Sequence, residues 1–144
     1  MTTPVSYARI ALGGLKGILA AAATNAVLFL LFSRTGIIDP TVMIPNSGGP
    51  LTLMPTVFAT IIPLVVATGV FMLLARFTKN PVRVFGFLVL AILLFSFFSP
   101  ATIPGAPVPM VVGLEVMHIA AAVIIFFALR NTVTNRQEQP VGTL

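Results

Sequence analysis

The chain has 144 residues, of which 58 % are apolar and 8 % charged, with a mean hydropathy of +1.10. Soluble domains carry roughly a quarter of their residues as charge, so a soluble fold is excluded. At roughly 20 residues per crossing the length holds about four spans and no separate catalytic domain, and the absence of cysteine excludes disulfides, thiolate ligands and thiol redox chemistry.

The net charge of +5 is not a nucleic-acid signal, because the basic residues sit almost wholly at the ends of apolar runs and mark topology instead. The first run, residues 10–32, is read as a retained span rather than a cleaved leader. Within it Gly13, Gly17, Ala21 and Asn25 recur every fourth residue, a small-residue stripe that lets another backbone approach and that ends in an amide. Lys16 lies close enough to the Arg9 end for its ammonium to snorkel back to the headgroups.

Residues 34–50 form a loop rich in Gly, Pro, Asn and Asp, with the breaker cluster Asn46-Ser47-Gly48-Gly49-Pro50, and the loop is expected to fold over the end of the bundle. The second span, residues 51–75, carries Pro55 in its first turn, where a missing amide hydrogen costs little. Pro63 is interior and is expected to free the carbonyl of Ala59 and kink the helix. Thr56 and Thr60 share a face beside that proline, where hydroxyls bond backbone carbonyls.

Arg76, Lys79 and Arg83 surround the tight Asn80-Pro81 turn into the third span, residues 82–99, whose polar atoms come only from Ser96 and Ser99 and which Pro100 is expected to stop. The linker that follows holds Pro104, Gly105, Pro107 and Pro109 and is expected to be stiff and partly extended. The fourth span, residues 109–129, leads into a polar tail, residues 130–144. Arg9, Lys16, Arg76, Lys79, Arg83, Arg130 and Arg136 then lie on one face of the membrane and Arg34 alone on the other, which places both termini in the cytoplasm. The expected architecture is an all-α membrane protein, a four-helix transmembrane bundle in the cell membrane.

The fourth span alone carries a carboxylate and an imidazole, Glu115 and His118. They stand roughly 9 and 13 Å below the outer end of the span, counted from Pro109. Asn25, Thr56 and Thr60 fall at similar depth and Ser96 somewhat shallower, so polar groups concentrate in the outer half. The Glu-x-x-His spacing is that of di-metal carboxylate bundles, but the only other carboxylates are Asp39 and Glu138, too few and too remote for a metal shell. The same spacing can bind the magnesium of a chlorophyll, yet no other pigment-binding feature accompanies it. A structural alternative has Glu115 hydrogen-bonding His118 or Asn25, or pairing with Arg34. Ionisable groups inside a membrane are costly to keep, which favours a ligand or proton site formed by Asn25, Thr56, Thr60, Ser96, Glu115 and His118.

Asn25 within Ala-Thr-Asn-Ala, Ser99-Pro100 closing the third span, and Leu114-x-x-Met117-His118 followed by small residues resemble a family of small four-span bacterial membrane proteins catalogued only as a domain of unknown function. The resemblance implies a four-helix membrane bundle and supplies no activity; Glu115 is not part of its pattern. Three functions are weighed: a non-catalytic accessory subunit or small-ligand binder, a proton-coupled carrier using Glu115 and His118, and an enzyme resting on that one acid/base pair. No cofactor is identified, and the expected partners are the bilayer and a homo-oligomer or larger membrane complex.

Overall fold

The computed structural model describes residues 6–45 and 48–134. Four helices are long and apolar enough to cross a membrane, as lipid requires of a backbone that must satisfy its own polar groups. They are α1 (Tyr7–Arg34), α2 (Leu53–Phe77), α3 (Pro81–Ser96), which the short α4 (Phe98–Ala101) extends, and α5 (Val108–Thr134). Strands β1 (Met43–Ile44) and β2 (Gly49–Pro50) form a small antiparallel pair between α1 and α2, with Met43 opposite Pro50.

Helix α1 is wedged between α2 and α5, and α3 closes the bundle against α5 and α2. Asn25 meets Thr60 while the earlier Gly14 meets the later Thr68, so α1 and α2 run antiparallel. Gly17 against Ala128 and Phe32 against Gly113 show the same for α1 and α5. Arg9, Lys16, Arg76, Lys79, Arg83 and Arg130 therefore gather at one end of the bundle and Arg34 lies at the other, while Arg136 falls outside the described residues. On the far side Phe85 joins the helices, edge-on to Phe71 at 5.0 Å and stacked on Phe126 at 6.4 Å.

Two local features differ from the sequence expectation. The third helix ends at Ser96 instead of running to residue 99, and Ser99 and Pro100 lie in the separate turn α4. Pro100 has no amide hydrogen for the carbonyl of Ser96, and its ring crowds that carbonyl, so the break falls a turn before the proline. The linker is not extended: amide donations from Thr102 to Phe98, Ile103 to Pro100 and Ala106 to Ile103 close successive turns. Gly105 takes φ 73° there, a left-handed conformation that glycine adopts without strain. The loop after α1 does fold over the end of the bundle, pairing β1 with β2 and sinking Ile38 and Val42 into the interior at 3 % and 7 % exposure. Pro63 lies on an exposed face of α2, and the helix continues through it.

The interior consists of two separate apolar clusters. The inner one, so named only because it lies toward the Arg9 end of the bundle, is built on Ile10, Ile18, Ala21, Leu64, Phe71, Phe85, Ile125 and Leu129 and draws on all four spanning helices. The outer one is built on Phe29, Ile38, Val42, Met110 and Met117, with Ile103 and Ala106 from the linker packed on it. Helix α3 adds no residue to this outer cluster, consistent with its early end.

Candidate functional site

The two apolar clusters are separated by a polar layer. On α1, Asn25 falls between Ala21 of the inner cluster and Phe29 of the outer one. On α5, His118 follows Met117 of the outer cluster and precedes Ala121, which packs on the inner one. Thr56 and Thr60 occupy the corresponding stretch of α2, between Leu53 and Leu64.

Asn25, Thr56 and Thr60 are buried, and two of them are directly joined. Asn25 Nδ2 donates to Thr60 Oγ1 at 3.0 Å, and Thr60 Oγ1 donates to the Thr56 carbonyl at 2.9 Å. Thr56 Oγ1 donates in turn to the Thr52 carbonyl at 2.9 Å. This chain fixes the orientation of the amide: the Thr60 hydrogen is committed to Thr56, so its oxygen can only accept, and the Asn25 nitrogen must face it. Asn25 Oδ1 is left buried without a hydrogen-bond partner. A buried acceptor in that state costs roughly 1–3 kcal/mol.

His118 is half-buried, and its Nδ1 lies 2.7 Å from the Leu114 carbonyl. A carbonyl can only accept, so Nδ1 carries the hydrogen and Nε2 of the neutral ring is an acceptor. Ile125 and Leu129, seven and eleven residues further on, fall on the same stripe of α5 and are buried. His118 thus shares the interior-facing stripe of its helix.

Glu115 and Ser96 do not join this layer. Ser96 Oγ donates to the Leu93 carbonyl of its own helix at 2.7 Å. Glu115 is half-buried, and among the described residues no hydrogen bond or ion pair links it to His118, Asn25 or Arg34. Nor do the described residues contain a group of three or more His, Asp or Glu side chains able to hold a metal ion.

The small residues act on two sides of α1. A Cβ on Gly17 would lie 2.7 Å from Ala128 Cβ, and one on Gly13 would strike the Thr132 methyl, so both glycines pack on α5. Ala21 is fully buried. An i, i+4 row advances about 40° per step, hence about 120° from residue 13 to residue 25, and this rotation carries the stripe from the α5 side to the α2 side, where Asn25 meets Thr60. Gly14 and Thr68 are a further close contact that the every-fourth-residue pattern did not single out. The adjacent Gly13-Gly14 pair was the available signal, one glycine for each neighbouring helix.

The family model described as "Family of unknown function (DUF6069)" matches residues 5–135. The chain belongs to this family. No curated protein and no solved structure matches it.

Proposed function

We propose that this chain is a non-catalytic integral protein of the cell membrane, an accessory subunit or small-ligand binder, whose polar layer receives a hydrogen-bond donor from a small molecule entering by the outer half. The observation that carries the reading is the Asn25 carbonyl oxygen, buried and unpartnered while its own amide nitrogen is tied to Thr60. Holding an orphan acceptor between two apolar clusters is costly unless a donor occupies the position for part of the working cycle. His118 Nε2 is the second acceptor on offer. The concentration of basic residues at the Arg9 end supports placing that end, and both termini, in the cytoplasm.

A proton-coupled carrier is the second reading, supported by a half-buried imidazole on the interior-facing stripe of α5 whose Nδ1 is anchored on the Leu114 carbonyl.

Native mass spectrometry of gently extracted protein tests the binding role. The parent is expected to retain a donor-bearing small molecule, and Asn25→Leu to lose it while keeping the helical fold. A parent that carries no small molecule, together with an Asn25→Leu variant at least as stable, would show a polar layer without a ligand. Proton uptake by reconstituted protein that disappears in His118→Gln would favour the carrier instead.

A further inference from the structure

At the end of the bundle remote from the polar layer, a groove of about 480 Å³ lies along α1 and α5. Arg9, Leu12 and Lys16 line it from α1, and Ala128 and Asn131 from α5. Gly13 and Thr132 complete the lining, and there the two helices approach so closely that a Cβ on residue 13 would strike the Thr132 methyl. We propose that this groove binds the phosphate of an anionic phospholipid headgroup.

Charge balance carries the inference. Arg9 and Lys16 are exposed on one face of α1, and neither has a carboxylate partner among the described residues. The only described carboxylates are Asp39, in the loop beyond the far end of α1, and Glu115, near the start of α5, both toward the opposite end of the bundle. The described residues thus supply no counter-charge here, and a phosphate at the headgroup level of a lipid can reach both cations. Arg9 and Lys16 are seven residues, or roughly 10 Å, apart along the helix axis, so the guanidinium sits at the headgroup level and the ammonium reaches up from below it.

The groove also has the donors a phosphate needs. Arginine offers a planar fork to two oxygens, lysine a point charge, and the Asn131 amide a neutral donor. Thr132 is not counted, because its hydroxyl donates to the Leu129 carbonyl at 2.6 Å. A lipid source is favoured over a soluble phosphate because exposed Leu12, Leu15 and Leu19 continue the α1 surface from the groove into the apolar region, where an acyl chain can lie. Basic pockets between spanning helices on the cytoplasmic side have this property in general.

The test uses the full chain in detergent, with phosphatidylglycerol, phosphatidylcholine or soluble glycerol phosphate added, and reads adduct retention by native mass spectrometry. Phosphatidylglycerol is expected to survive activation that strips phosphatidylcholine, and glycerol phosphate not to be retained. Lys16→Gln and Arg9→Gln should each lower phosphatidylglycerol retention about fivefold, Lys16→Arg should keep it, and Arg83→Gln, a charge at the same end on α3, should leave it unchanged. Asn25→Leu should also leave it unchanged, which separates this site from the polar layer. Equal retention of the two lipids, or an equal loss in Arg83→Gln, would reduce the groove to diffuse surface charge and overturn the proposal. Retention of glycerol phosphate comparable to the lipid would overturn the lipid assignment.

Discussion

Asn25 and Thr60 are joined across the α1–α2 interface by a 3.0 Å hydrogen bond that satisfies the amide nitrogen and strands the amide oxygen. Thr60→Val removes the acceptor and leaves the whole amide buried without a partner, so we expect a loss of about 1–2 kcal/mol. In protein stripped of any bound small molecule, Asn25→Leu removes both amide groups and should be neutral or stabilising, and Asn25→Leu/Thr60→Val should recover most of the single Thr60→Val loss. Reversible unfolding in mixed micelles measures all three. A larger loss in Asn25→Leu than in Thr60→Val would mean that the oxygen has a partner in the working protein.

The glycines of the bundle make opposite predictions according to what surrounds them. Gly17→Leu drives a side chain into Ala128 and Ile125 and should cost at least about 1–3 kcal/mol. Gly14→Val should be similarly damaging through Thr68. Gly69 lies in the interior of α2, and a methyl group added there would meet nothing within 4 Å, so Gly69→Ala should stabilise by up to about 1 kcal/mol. Thermal unfolding in detergent distinguishes the three, and a harmless Gly17→Leu would contradict the α1–α5 packing.

Glu115 and His118 share a helix face but not a hydrogen bond. Removing one should leave the environment of the other nearly unchanged, giving a double-mutant coupling below about 0.5 kcal/mol for Glu115→Gln with His118→Gln. A coupling above about 1 kcal/mol would show that the two act as a pair in the membrane.

Orientation can be read by labelling, since the chain contains no native cysteine. Cysteines at Pro45 and Pro104 should react with an impermeant maleimide from outside, and one at Lys79 only after the membrane is opened. These positions avoid Gly48 and Gly105, whose positive φ of 69° and 73° would strain a substitute. The reverse pattern would invert the bundle and place the Arg9 end outside.

Asp39 supplies a pH-dependent element in the loop. Its carboxylate accepts from the Thr41 hydroxyl at 2.6 Å and the Thr41 amide at 2.8 Å, and these bonds, the hydroxyl foremost, hold its pKa below the ordinary value. Because the folded pKa is depressed, the stabilising contribution is present above the unperturbed carboxyl range of roughly 3.9 and is lost as pH falls through the lowered value. A carboxyl-carbon NMR titration should show an Asp39 midpoint below that of an unstructured aspartate, moving upward in Thr41→Ala. A midpoint at or above the unstructured value would mean that the turn does not form.

Much of the fold was legible in the chain because lipid leaves a backbone few choices. Four long apolar runs bounded by Pro, Gly and basic residues must become helices whose polar backbone groups are satisfied internally. Asn25, Thr56, Thr60, Glu115 and His118 stood out as polar groups inside those runs for the same reason. What sequence alone left open was which of them meet. Lipid supplies little hydrophobic force to set the rotation of one helix against another, so close packing sets it. Gly13 and Gly17 against α5 and Gly14 against Thr68 turn α1 so that Asn25 reaches Thr60, while Glu115, one turn from His118, forms no bond to either. Spacing along one helix reports which residues share a face; only the packing of several helices determines which polar atoms find partners and which, like the Asn25 oxygen, are left without one.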